Sequence, residues 1–309
     1  MLAPMASDLS PVYVDGPWTH REVAANGARF HVAELGDGPL VLFLHGFPQF
    51  WWTWRDQLTA FAEAGFRAAA MDLRGFGGSD KTPRGYDPLN LALDVTGVVR
   101  ALGEANAAVV GHDWGAILGW TAAAVRPKTV RRLVVVGSGH PRRQRAALLT
   151  EPGQISASKH VFAAQSPLRA EKSLVRDGGA AVGRMLRDWS GPQWPPADVA
   201  HRYEQAIAIP GVAHCSLEYF RWWVRSLPRP DGIRYQQRMR TLIEVPTLHL
   251  HGALDRAVLT STARGSGRQV NASYRWRLLD GVGHFPQEEA PEMFNAEVIG
   301  WLKDDEPDR

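Results

Sequence analysis

The chain of 309 residues has a single cysteine, Cys215, so no internal disulfide can form and a disulfide-stapled scaffold is excluded. That usage fits a reducing cytoplasm. The start, MLAPMASDLSP, carries no basic segment leading into an apolar one, so no secretory signal is expected. Long hydrophobic runs are missing too. The longest clean one, Pro39 to Leu44, is far short of a membrane span, and no membrane partner is expected. Charge of one sign is scarce: 35 Lys and Arg against 32 Asp and Glu leave a net of +3, interleaved along the chain. Nothing in that balance resembles a nucleic-acid footprint. Internal repeats and low-complexity linkers are absent, and only the first 15 or so residues and the DDEPDR tail read as frayed. What remains is ordinary globular composition, 45% hydrophobic and 22% charged, long enough to bury a core and line a pocket.

Hydrophobic patterning divides the chain. Arg21–Ala25 and Ala28–Glu34 flank Asn26-Gly27, a dipeptide that tolerates the positive φ of a tight hairpin turn. Leu40–Leu44 is a continuous apolar run, the mark of a strand buried on both faces. Arg67–Met71, Ala107–Gly111 and Arg132–Val136 read as further strands, with helical periods over Trp52–Ala64, Pro88–Leu102 and Gly115–Val125 between them. The rhythm breaks at Gly137, and no convincing strand follows until Val245–His251 and Ser273–Leu279; a last helix covers Glu289–Leu302. The expected architecture is therefore an α/β core over 1–137 and 244–309, interrupted by a helical insertion over 138–243. The arginines at 131, 132, 142, 143 and 145 are expected on the solvated surface.

The sharpest motif is Gly111-His112-Asp113-Trp114-Gly115, placed between a buried strand and a helix. Small neighbours at such a turn present the central side chain above the sheet edge as a nucleophile elbow. Taken alone, Asp113 could simply cap the helix. Its partners favour the chemical reading. Asp255 follows one strand end in HGALD (251–255), and His284 follows the next in GVGHF (281–285), giving the order nucleophile, acid, histidine. His45-Gly46-Phe47-Pro48, after the first buried strand, can aim the Phe47 N–H at the elbow beside that of Trp114, forming an oxyanion hole.

These motifs, together with DLRGFGGSD over 72–80, resemble those of the α/β-hydrolase-fold epoxide hydrolases, relatives of the haloalkane dehalogenases. The resemblance implies a mostly parallel eight-stranded sheet with helices on both faces. It also implies a cis bond at Phe47-Pro48 and a lid over Gly137 to about Ile243.

An aspartate in place of serine narrows the substrate. Serine attacking a saturated carbon would leave an ether; a carboxylate leaves an ester, which water can cleave through the enzyme's own carbonyl. The expected cycle attacks an epoxide with Asp113, then hydrolyses the ester with water activated by His284, which Asp255 orients. The small partners are a hydrophobic epoxide and water. No cofactor or metal is called for; His249 and His251 share a strand face, but no further ligand completes a site. A homodimer is one assembly the sequence leaves open.

Family epoxide hydrolases carry two lid tyrosines on the ring oxygen, one directly before an arginine. Here that position is Phe220, with Tyr219 one residue earlier, and His160 stands where the other tyrosine is expected. Tyr219 and His160 are accordingly the candidate ring-opening acids, ahead of Tyr203 and His214. A dehalogenase with Trp114 and a lid tryptophan (189, 194, 222 or 223) on the halide is the rival. A non-catalytic binding protein on the same fold is the other alternative. Trp51, Trp52 and Trp54 either line the pocket or pack.

Overall fold

A computed structural model describes residues 9–304. Its strands are β1 (Thr19–Ala25), β2 (Ala28–Leu35), β3 (Leu40–Leu44), β4 (Arg67–Met71), β5 (Ala107–His112), β6 (Val130–Val136), β7 (Thr247–Gly252) and β8 (Tyr274–Leu279). They form one sheet in the order β1-β2-β4-β3-β5-β6-β7-β8. The β1–β2 hairpin turns at Asn26 and Gly27, with φ of 45° and 74°. β2 also runs antiparallel to β4, and every later pairing is parallel. All five residues of β3 and all six of β5 are buried, because helices cover both sheet faces.

The core helices are α1 (Arg55–Glu63), entered through a 3-10 turn at Trp51–Trp54, then α2 (Pro88–Ala101) and α3 (Trp114–Val125). α2 starts where Asp87 caps the Asn90 N–H and Pro88 pre-sets φ at the first helical position. Ten of the twelve residues of α3 are buried, so it lacks a polar stripe. Between β6 and β7 lies the lid: α4 (Pro141–Thr150), α5 (Pro152–Ala157), α6 (Lys159–Ala163), α7 (Arg169–Val175), α8 (Ala180–Trp189), α9 (Ala197–Ala208), α10 (Val212–Arg225) and α11 (Pro230–Arg238). Three helices close the chain: α12 (Thr260–Arg264), α13 (Pro286–Glu289) and α14 (Pro291–Lys303).

Two expectations are corrected. Leu9–Val14 is not frayed: Val12 is fully buried and its carbonyl accepts the Trp51 indole N–H at 2.9 Å. The first eight residues and those beyond Asp304, also expected to fray, lie outside the described residues. Arg145 is not solvated either. It is buried in the lid, its guanidinium 4.6 Å from the Trp223 ring centre and 3.0 Å from Ser226 Oγ. Cation–π contact and a hydrogen bond replace the water it gives up.

The lid is tied to the core by a buried carboxylate. Glu288 on α13 accepts from Gln49, Thr53 and Arg55 of the core and, at 2.8 Å, from the hydroxyl of Tyr203 on α9. Arg55 also lies 4.0 Å over the ring of Trp52. Trp51 and Trp54 are fully buried in the core, Trp51 against Trp18 and Phe50 and Trp54 against Phe43 and Phe294, while Trp52 meets the lid at Tyr203; none of the three lines the cavity beside Asp113.

Candidate active site

Asp113 sits between β5 and α3 with φ 50° and ψ −112°, a backbone conformation an L-residue holds only under constraint. The flanking glycines are part of that constraint. A Cβ on Gly111 would lie 2.2 Å from the Gly115 carbonyl oxygen, and one on Gly115 would lie 2.1 Å from that of Leu44. The loop after β3 closes over the elbow, with Phe47-Pro48 in the cis form. The Phe47 N–H donates to Asp113 Oδ1 at 3.0 Å, and the Trp114 N–H also faces this carboxylate. Burial raises the Asp113 pKa above its ordinary value, against the opposing pull of His284 and these two N–H groups.

His284 is fully buried, with Nδ1 2.8 Å from Asp255 Oδ2. The other Asp255 oxygen accepts the N–H groups of Ala257 and Val258 at 2.8 and 2.9 Å. A carboxylate acceptor puts the proton of the neutral imidazole on Nδ1, leaving Nε2 with its lone pair. That Nε2 has no hydrogen-bond partner and lies 3.9 Å from Asp113 Oδ2. Burial disfavours the imidazolium, but Asp255 first, then Asp113 and Glu289, lift the His284 pKa above the usual value.

Sequence reasoning missed how this loop is held. The His284 N–H donates to the Trp189 carbonyl of the lid at 2.9 Å. Glu289 accepts three backbone N–H groups: Gly283 and Gly191 at 2.7 Å and Phe285 at 2.8 Å. Gly191 belongs to the lid, so one carboxylate clamps lid and histidine loop together. The signal was the Glu-Glu pair after GVGHF, but period alone does not say which of two adjacent acids turns inward.

A cavity, partly open to solvent, lies between core and lid. Asp113, Trp114, Ile117 and Ser138 border it from the core; His160, Val161, Phe220 and Trp223 border it from the lid. His160 thus reaches the same cavity as Asp113. Its ring packs on Trp189 and Phe220, with centroids at 4.7 and 5.4 Å, and its Nδ1 is 3.2 Å from the Ala157 carbonyl. Burial, then the charge of His284, lowers its pKa to about 4.

Tyr219 does not reach the cavity. Its hydroxyl donates to the Arg74 carbonyl at 2.7 Å and its ring packs on Phe76, Tyr86 and Trp114. One residue on a helix is about 100° of rotation, so Phe220 takes the cavity face and Tyr219 the core face. This removes Tyr219 as a ring-opening acid. The weaker candidates are elsewhere as well: Tyr203 on Glu288, and His214 exposed on α10 beside Glu171 at 3.0 Å. His45 and His112 orient backbone, the first accepting from the Leu73 N–H at 3.0 Å, the second 2.7 Å from the His284 carbonyl. His249 faces the Tyr274 hydroxyl at 3.0 Å, and His251 faces the Val258 carbonyl at 2.9 Å.

A mostly parallel sheet with a carboxylate elbow, and an acid and histidine on later strand ends, defines the class of hydrolases built in that chain order. Comparison with known proteins agrees. Residues 39–291 match the family model described as the alpha/beta hydrolase fold. Epoxide hydrolase 3 of Xenopus tropicalis is 32% identical over 299 residues, covering 91% of this chain and 76% of that protein. Epoxide hydrolase A of Mycobacterium tuberculosis is 28% identical, covering 93% and 98%. A crystal structure of the Bacillus megaterium epoxide hydrolase with an inhibitor superposes with a TM-score of 0.82 at 26% identity, covering 92% of this chain and all of that one, 100%. The chain belongs to the α/β-hydrolase fold family, within its epoxide hydrolases. Among the described residues, no helix is long and apolar enough to cross a membrane.

Proposed function

We propose that this protein hydrolyses a hydrophobic epoxide to a vicinal diol through an ester on Asp113. The observation that carries the reading is the division of labour at the Asp113 carboxylate. Oδ1 is held by the Phe47 N–H at 3.0 Å, while Oδ2 faces His284 Nε2 at 3.9 Å. Oδ2 attacks the epoxide carbon, and the ring C–O bond breaks with its electron pair on oxygen. Water, deprotonated by His284, then adds to the ester carbonyl. The resulting oxyanion at Oδ1 is stabilised by the Phe47 and Trp114 N–H groups. Collapse of that adduct returns the carboxylate and releases the diol, which takes the proton from His284; Asp255 stabilises the intervening imidazolium.

On the lid side His160 lines the same cavity, but burial and the charge of His284 disfavour the imidazolium that would protonate the ring oxygen. The surrounding aromatics, Trp114, Phe220 and Trp223, favour a bulky or aryl substituent. The single cysteine supports a cytoplasmic setting. The dehalogenase reading lacks a specific observation in its favour beyond the indoles lining the cavity.

The test is the intact mass of the His284→Phe variant after mixing with styrene oxide. A gain of one whole epoxide, absent when Asp113→Ala is added, is the expected result. A butyl adduct from chlorobutane with no epoxide adduct would transfer the assignment to a dehalogenase.

A further inference from the structure

Opening an epoxide turns its oxygen into an alkoxide, and at neutral pH His160 has no proton to offer it. The Ala157 carbonyl, 3.2 Å from Nδ1, can only accept. The neutral ring therefore keeps its hydrogen on Nδ1 and turns a bare Nε2 outward. Phe220, in the same wall, carries no donor, and the Tyr219 hydroxyl is spent on Arg74.

Two hydroxyls bordering the cavity keep an uncommitted hydrogen: that of Ser138, just after β6 on the Asp113 side, has no partner among the described residues, and the other belongs to the lid wall. Ser158, 4% exposed and two residues before His160, borders the cavity together with Asp113. Its neighbour Gln154, also 4% exposed, is fully accounted for. Gln154 Oε1 accepts the Leu259 N–H at 2.9 Å, which fixes the orientation of the amide. Nε2 then donates to the Ala257 carbonyl at 2.9 Å and to Ser158 Oγ at 3.1 Å, using both amide hydrogens. Ser158 Oγ is thus an acceptor in that contact, and its own hydrogen has no acceptor among the described residues. Gln144, the remaining amide of the lid wall, is partly open to solvent.

We propose that Ser158 is a catalytic residue whose hydroxyl donates a hydrogen bond to the epoxide oxygen while Asp113 Oδ2 attacks the ring carbon. Gln154, anchored to the 257–259 loop, is its positioning residue. The assignment rests on the epoxide reading above. Atoms balance without an added reagent. The Asp113 lone pair forms the ester bond, the ring C–O electron pair stays on oxygen, and Ser158 keeps its proton within the hydrogen bond. A water molecule supplies the proton that completes the hydroxyl. The hydroxide left behind is neutralised by the proton released when the ester is hydrolysed.

The experiment measures the rate of ester formation on Asp113 against styrene oxide concentration, by rapid quench and intact mass, in the His284→Phe background. Ser158→Ala is expected to lower the maximal rate about 10²-fold, the scale of one lost oxyanion donor, with the half-saturating concentration unchanged. Ser158→Thr, which keeps the hydroxyl, is expected to restore most of the rate. Gln154→Leu should give a smaller loss. An unchanged rate in Ser158→Ala would overturn the assignment. So would a loss that Thr fails to restore and that comes with weakened binding, or a loss confined to Gln144→Leu. If Ser158→Ala does not fold, Ser158→Cys, near in size and a poorer donor, carries the same comparison. Absence of any adduct in the parent variant is a different failure: it sinks the epoxide reading, and the Ser158 assignment with it.

Discussion

His284 Nε2 stands 3.9 Å from Asp113 Oδ2, too far for a hydrogen bond and near enough for each charge to shift the other's pKa. In the proposed cycle Asp113 is needed charged at the first stage and His284 uncharged at the second. Asp113 must be ionised to attack, and this is lost as pH falls through its raised value. His284 must be neutral to activate water, and this is lost on acidification sooner than for an ordinary histidine, because its pKa is raised. Once the ester forms, Asp113 is neutral, and Asp255 with Glu289 continues to favour the imidazolium. His112, His160 and His251 are the other titratable groups nearby, and their charging opposes it. Where His284 is protonated and Asp113 still ionised, ester formation should outrun hydrolysis. Acid-quenched wild-type enzyme is expected to carry more alkyl adduct as the reaction buffer is acidified through the raised His284 value and to lose it above that value. An adduct level independent of pH would remove His284 as the base.

Glu289 clamps the His284 loop to Gly191 of the lid through three backbone N–H groups. Glu289→Gln removes the charge and replaces one acceptor by an amide N–H. Ester hydrolysis should slow roughly tenfold, with its acid limb moved to lower pH, while ester formation stays within about twofold. Parallel losses in both steps would instead indicate a general loosening of the lid.

Tyr219→Phe deletes the hydrogen bond to the Arg74 carbonyl, 2.7 Å long and fully buried. Stability should fall by about 1 kcal/mol, read from denaturant unfolding, with ester formation unchanged. A large drop in the ester-forming rate would return Tyr219 to the mechanism.

Tyr203→Phe leaves the buried carboxylate of Glu288 without its lid donor, while Gln49, Thr53 and Arg55 remain on the core side. The expected cost is about 1–3 kcal/mol, concentrated in the lid. Hydrogen exchange should accelerate in α8 and α9 before it does in the central strands. Uniform acceleration would mean that lid and core unfold as one unit.

Gly46 packs against Asp113 itself: a Cβ there would lie 2.4 Å from Asp113 Cβ. Gly46→Ala should displace the Phe47 N–H and lower ester hydrolysis about 10²-fold, more than it lowers the far-UV circular dichroism signal. Normal turnover would show that the loop has room to give.

Much of the site is local and therefore legible in the chain. The elbow is a run of five residues whose glycines are required within those same five and by the adjoining strand. The apolar runs of β3 and β5 announce burial on both faces, and the hairpin at Asn26-Gly27 is written in two residues. The lid was harder. Its short helices are amphipathic toward partners far along the chain, so Arg145 read as surface; outside the lid, Leu9–Val14 read as frayed because its partner Trp51 lies 39 residues on from Val12.

Residue type and order within single turns determined the fold class, the carboxylate at the elbow and the histidine–aspartate pair on later strand ends. Only the tertiary structure decided which lid residues face the cavity. The helical phase of α10 turns Phe220 inward and Tyr219 onto Arg74. Gln154, bonded across the chain to the Ala257 carbonyl, donates to Ser158 Oγ and leaves only the hydroxyl hydrogen uncommitted. Sequence specifies what a side chain can donate or accept, whereas the partners that use up those donors come from distant segments and are set only when the chain packs.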